Sequence, residues 1–270
     1  MEQRKRVAFS AVHEVRTYVP DAWVNGPQSA KTRGEQKKID AMLRGSCSIC
    51  DPSSKLPIRK SNVCDACLDE QKACNEKLHT GGYVVFRNAC IIEDDIIAEI
   101  DDTRFNPIFN GVTADGALTY DGYRLQGNGE WGQKVKRIFN RFLFSKAILT
   151  EDRRIAEMYA LRSLPSCVRQ PRHTDSAAEK SLLDQPHEDV PLAMLYAIED
   201  NTWLRIWPFD SPYCVLCLSK GDMVVFRGDM AHCGTEYKEM NTRIHAYIDS
   251  NKQGSHKRRK GSTWIDDKMV

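Results

Sequence analysis

The chain has 270 residues, 39 Lys and Arg against 37 Asp and Glu, and 41% hydrophobic residues. That length suits one domain of about 200 residues plus a small module, and a formal net charge of +2 supplies no global pull toward a polyanion. No apolar run approaches the ~18 residues a membrane helix needs, and Met1 to Val7 is charged with no apolar stretch behind it, so membrane and secreted classes are excluded and an intracellular location, cytoplasmic or nuclear, is expected.

Residues 1 to about 45 read as an irregular, polar lead-in with Pro20, Gly26 and Pro27. Four cysteines follow as two pairs, Cys47-x2-Cys50 and Cys64-x2-Cys67, separated by thirteen residues. Reduced intracellular thiols at this spacing favour a metal over a disulfide framework. The segment is also too polar to build a core unaided, so a structural Zn(II) held by Cys47, Cys50, Cys64 and Cys67 is expected to fold it. Cys74 and His79 are substitute ligands within reach in sequence. The reading assigns residues 1–80 to an N-terminal region with this zinc-binding module.

Residues 81–250 form the main domain. Gly81 to Arg87 reads as a strand entered through a glycine turn, and Glu93 to Asp101 as a short helix with acids in its first turn. Asn106 to Gly132, rich in Gly and Asn, is expected to be a loop. Val135, Ile138, Phe139, Phe142 and Leu143 recur at helical spacing, and a second helix is expected over Ile155 to Leu161. Beyond Leu164 the pattern turns to strands: Cys167 to Asp175, Leu192 to Ile198, Trp203 to Trp207, Tyr213 to Leu218, Met223 to Phe226 and Thr242 to Asp249. Short β-branched and aromatic runs broken by Gly, Asp, Pro and Asn predict an antiparallel sandwich or jelly roll, mainly β with flanking helices. Residues 251–270, with Lys257 to Lys260, read as a basic mobile tail.

His173-Thr174-Asp175 carries the chemistry. Side chains two apart on a strand share a face, so His173 and Asp175 point inward together. His232 follows a strand and the Gly228-Asp229 turn, in an order that a jelly roll returns beside the first strand. Two imidazoles and one carboxylate on one face leave open positions, the arrangement used for Fe(II) that activates O2. Arg243, on Thr242 to Tyr247, shares its face with His245 and Tyr247. A guanidinium inside a barrel needs an anionic partner, which the distal carboxylate of a dicarboxylic acid supplies.

The ordered set Arg172-His173-Thr174-Asp175, Gly221 to Asp229, His232 and Arg243 resembles the Fe(II)/2-oxoglutarate-dependent oxygenases, whose core is a double-stranded β-helix. The resemblance covers about residues 81 to 250. It implies that His173, Asp175 and His232 hold Fe(II), and that 2-oxoglutarate binds with its far carboxylate on Arg243; Tyr196 or Tyr159 is a candidate hydroxyl donor to it, with a buried tyrosine satisfied elsewhere as the alternative. O2, Fe(II) and 2-oxoglutarate then hydroxylate a C–H bond with release of succinate and CO2.

Other features bear on the substrate. Trp203, Arg205 and Trp207 alternate onto one face as a candidate contact surface, with ordinary sheet packing as the alternative. Cys214 and Cys217, three apart on a strand, face opposite sides and are read as packing. His245 is a candidate partner of the site, and His187 falls in a polar loop. Residues 31 to 60 hold eight Lys and Arg against three acids, an excess of +5; Lys134 to Lys146 and the tail add further basic patches. These patches and the extra module favour a macromolecular substrate, nucleic acid or protein. A small-molecule hydroxylase, or an inactive barrel acting as a zinc-dependent binding protein, is the alternative. Substrate identity and oligomeric state are not encoded in any motif here.

Overall fold

The computed structural model describes residue 49 and residues 63–112, 118–176, 190–250 and 263–264. All of them belong to the compact unit Arg44–Val270. Among the described residues no helix is long and apolar enough to cross a membrane.

The described chain begins with α1 (Asp65–Thr80) and β1 (Tyr83–Phe86). Next come α2 (Asp94–Asp101) and the hairpin β2 (Asn106–Val112) and β3 (Leu118–Gly127). After α3 (Trp131–Ser145), strand β4 spans Arg153–Ser163. The remaining strands are β5 (His173–Thr174), β6 (Leu192–Ala197), β7 (Thr202–Trp207) and β8 (Cys214–Leu218). They continue with β9 (Met223–Arg227), β10 (Ala231–Gly234), β11 (Asn241–Ser250) and β12 (Thr263–Trp264).

These strands build two antiparallel sheets, a mainly β jelly roll. The larger has the order β1-β9-β6-β11-β4-β3-β2 and the smaller β12-β5-β10-β7-β8. Strand parity sorts the apolar side chains into two layers. Ala193, Leu195, Ala197, Val224 and Phe226 of the large sheet meet Leu204, Ile206, Leu216 and Leu218 of the small one. On the other face of the large sheet, Met194, Tyr196, Val225, Ile244 and Ala246 pack under Trp131, Val135, Phe139 and Leu143 of α3. Those four helical residues repeat at the 3.6-residue period, which turns one apolar stripe to the sheet.

Three local expectations are corrected. Ile155 to Leu161 is strand, not helix: β4 pairs with β11 along its whole length, with an irregularity where Tyr247 faces Glu157 but Ile248 faces Ile155. The extra residue, Ala156, breaks the two-residue alternation and leaves a spacing that imitates a helix. Asn106 to Gly132 is largely the β2–β3 hairpin, not a loop. Its pairing slips at Pro107/Ile108 and Phe109/Gly111, and β2 with its proline is an edge strand. The strand expected from Cys167 shrinks to His173–Thr174, with only a bridge from Cys167 to Tyr237 further back; Pro171 has no N–H to give a ladder.

Cys47 and Cys50 lie outside the described residues. Cys64 precedes α1 and Cys67 sits in its first turn, while Cys74 and Leu78 of the same helix join the core beneath the large sheet. Burial pushes the Cys74 thiol up to about 11. His79 is exposed on that helix. The tail beyond Ser250 is described only at β12, whose Trp264 pairs with His173.

Candidate metal centre

His173 and His232 come from neighbouring strands of the small sheet and stand directly opposite each other in register. Their ring centroids are 4.5 Å apart. Asp175 follows β5, and the three residues are buried with ligand atoms all within 4.8 Å of one another. Among the described residues this is the one group of His, Cys, Asp or Glu so arranged.

The backbone fixes which imidazole nitrogen faces the site. His173 Nδ1 lies 2.9 Å from the Pro171 carbonyl and His232 Nδ1 lies 3.1 Å from the Met230 carbonyl. A carbonyl only accepts, so each Nδ1 carries the proton and each Nε2 keeps a lone pair for a metal. Burial lowers the His232 pKa to about 4, against the opposing pull of Asp175. Burial works against the Asp175 charge, yet the imidazoles of His232, His245 and His173 outweigh it and hold the carboxyl below its usual range. A neutral His232 imidazole and an ionised Asp175 carboxylate are the forms that ligation requires. Asp175 Oδ2 is buried without a hydrogen-bond partner. Its nearest nitrogens, His245 Nε2 and His232 Nε2, stand at 3.6 and 3.7 Å, and a buried anionic oxygen so placed is costly unless an ion satisfies it, so the donor set fits a divalent cation.

The centre opens into a cavity of about 130 Å³ between the two sheets. Leu195, Leu204 and Phe226 form apolar walls, and Tyr159, Arg243, His245 and Tyr247 face it from the large sheet. Arg243 is only 4% exposed. One of its terminal nitrogens donates to Ser163 Oγ at 3.0 Å, and its guanidinium lies 5.4 Å from the Tyr237 ring centre. Burial lowers its pKa from the ordinary value, but not so far that a guanidinium loses its proton. Among the described residues no carboxylate forms an ion pair with it. A buried, unpaired cation at the end of a cavity calls for an anionic ligand. His245, two residues along β11, places Nε2 3.6 Å from Asp175 Oδ2.

Tyr196 is not part of this site. Its hydroxyl donates to the Cys90 carbonyl at 2.8 Å, and its ring packs 5.1 Å from that of Phe139. Every residue of β6 is buried, and it is Leu195, not Tyr196, that faces the cavity. Of the two candidates it is Tyr159 that lies on the cavity side, with its hydroxyl 3.1 Å from Glu157 Oε2. Nor do Trp203, Arg205 and Trp207 line the cavity; they alternate with the inward Leu204 and Ile206. Arg205 lies over Tyr213 and Arg172 over Trp207, at 5.4 and 4.7 Å. Cys214 packs toward the core and Cys217 is exposed. His187 lies outside the described residues. Ser163, Gln126 and Gln170 border the site without any motif of their own; strand register brings the first two there, and Gln170 comes from a loop tied to Gly234.

No protein-family model and no curated protein matches the sequence. Solved structures do match the fold. A 2OG-Fe(II) oxygenase family oxidoreductase from Burkholderia pseudomallei superposes with a TM-score of 0.51 at 14% identity, over 70% of this chain and 94% of that one. HygX from Streptomyces hygroscopicus, solved with nickel and 2-oxoglutarate, gives 0.51 at 9% identity over 72% and 96%. The non-heme alpha-ketoglutarate-dependent epimerase SnoN from nogalamycin biosynthesis gives 0.50 at 12% over 74% and 97%. The chain therefore has the Fe(II)/2-oxoglutarate oxygenase fold, with a His-Asp-His set in its barrel.

Proposed function

We propose that this chain is an Fe(II)- and 2-oxoglutarate-dependent dioxygenase that hydroxylates a C–H bond. The observation that carries the reading is one cavity bounded by His173, Asp175 and His232 and by the buried Arg243. His173 Nε2, His232 Nε2 and the Asp175 carboxylate would hold the metal. Arg243 and the Ser163 hydroxyl would grip the far carboxylate of 2-oxoglutarate, the guanidinium through a forked ion pair. When bound, Fe(II) and 2-oxoglutarate supply O2 activation, with oxidative decarboxylation to succinate and CO2. The chain's own work is to orient and to dry: Leu195, Leu204 and Phe226 exclude water, which strengthens every charge interaction inside.

The substrate we propose is a macromolecule, nucleic acid or protein, on the strength of the basic runs at residues 31 to 60 and 257 to 260. Incubation with Fe(II), 2-oxoglutarate and separate DNA, RNA and protein pools tests this through a product heavier by one oxygen. Gain only on small metabolites would refute it. A nucleic-acid substrate also requires binding that weakens steeply with salt. The Cys47, Cys50, Cys64 and Cys67 spacing supports a structural zinc. One zinc per chain, lost in Cys64→Ser, is the expected result, and a folded zinc-free protein would refute it.

A further inference from the structure

The connection from β9 to β10 holds a fully buried ion pair next to the metal ligands. Arg227 is 0% exposed and Asp229 5%. Arg227 Nε donates to Asp229 Oδ1 at 3.0 Å and its terminal nitrogen to Oδ2 at 2.8 Å. The guanidinium also lies 5.2 Å from the Phe209 ring centre. This is a planar, two-point grip between residues only two apart, which fixes the intervening backbone in a way a single contact does not.

The turn it grips reaches both ligand-bearing strands. Met230 N closes the turn on the Arg227 carbonyl at 3.0 Å, and the Met230 carbonyl accepts the His232 Nδ1 proton at 3.1 Å. On the other side, Ser176, the residue after Asp175, donates its N–H to the Gly228 carbonyl at 2.9 Å, while Gly228 N–H donates to Pro191 at 2.7 Å. Gly228 leaves no slack: a Cβ there would sit 3.0 Å from the Pro191 carbonyl and 3.1 Å from Ser176 Oγ. Arg227 N–H donates to Gly82 at 2.8 Å, tying the assembly to the turn before β1.

We infer that the Arg227–Asp229 pair is a positioning clamp for the metal centre, setting the His232 imidazole through Met230 and the Asp175 segment through Gly228. The inference rests on the metal reading above. As a stabilising device a buried ion pair is poor, since an apolar pair of similar volume serves equally well. Its specific output is orientation. Groups that orient metal ligands from outside the coordination shell are worth about 10- to 100-fold in metal affinity.

The test is Mn(II) binding to the full chain, read from the loss of the free-ion EPR signal; Mn(II) avoids competition from cysteine thiolates. Arg227→Met/Asp229→Leu removes both charges of the pair together. Its metal-free thermal unfolding should be as cooperative as that of the unaltered protein, with Mn(II) affinity about 10- to 100-fold lower. Arg227→Lys retains the charge without the fork and should fall between the two. It also decides the matter if the double variant does not fold. Unaltered Mn(II) affinity in either folded variant would overturn the clamp. Failure of the unaltered protein to bind Mn(II), or binding undiminished in His173→Ala, would instead overturn the metal reading itself.

Discussion

Replacing Arg243 by Met separates the role of its charge in ligand binding from any role in the fold. The guanidinium is 4% exposed, donates to Ser163 Oγ at 3.0 Å and has no carboxylate partner among the described residues. Truncating one partner of a buried, hydrogen-bonded charge pair costs about 3–5 kcal/mol. At 1.4 kcal/mol per decade this is roughly 100- to 4,000-fold in the 2-oxoglutarate dissociation constant. Calorimetric titration of the Mn(II)-loaded protein without O2 measures it. 2-Oxovalerate, which has the same chain length without the far carboxylate, supplies the second axis of the cycle. The unaltered protein should prefer 2-oxoglutarate by at least about 100-fold, and in Arg243→Met that preference should collapse. Metal-free Arg243→Met should melt no lower than the unaltered protein, because the substitution removes a buried charge that lacks a counterion. Equal binding of the two acids by the unaltered protein, or a preference surviving in the variant, would refute the assignment.

Tyr196→Phe should leave 2-oxoglutarate affinity unchanged and lower stability by about 1 kcal/mol in denaturant titration, the net worth of the lost hydrogen bond to Cys90; a loss of 2-oxoglutarate affinity at constant stability would restore the tyrosine to the site. His245→Leu should weaken Mn(II) binding by about 10-fold, the lower end of the outer-shell range, whereas His245→Gln, which keeps an N–H facing Asp175, should recover most of it. Equal effects from both would remove His245 as an orienting group. Burial raises the Cys90 thiol to about 12 and also raises the Tyr196 hydroxyl. Both groups are neutral in the fold, so their contribution is complete below the ordinary thiol value of about 9 and is lost as pH climbs toward 12. Urea midpoints measured from pH 8 upward should fall over that window, less steeply in Cys90→Ala; superimposable curves would contradict the linkage.

The metal site was legible because its signal is local. His173 and Asp175 share a face, and His232 and Arg243 follow in order on strands whose turns are marked by Gly and Asp. Where the sequence misleads, the cause is the loss of alternation. Leu192 to Ala197 is buried on both faces, so it reads as a continuous apolar run with no polar residue to show which side meets the cavity. That is why Tyr196 could be read as facing inward when Leu195 does. In β4 one extra residue opposite Tyr247 destroys the period, and in β2–β3 glycine and asparagine mask a hairpin. Ser163 and Gln126 reach the site through cross-strand register, a property of pairs of strands rather than of either sequence, and Gln170 reaches it from a loop tied to Gly234. The Arg227–Asp229 fork is equally silent: two opposite charges flanking a glycine read as a solvated turn until their complete burial is seen.

Succinate formation from 2-oxoglutarate tests the central claim most directly. The unaltered protein, supplied with Fe(II), O2 and 2-oxoglutarate, should release succinate and CO2 in equal amounts, even slowly and without added substrate, and His173→Ala and Asp175→Ala, still folded by circular dichroism, should release none. No turnover by the intact protein with any substrate pool, or turnover persisting in both variants, would contradict the account.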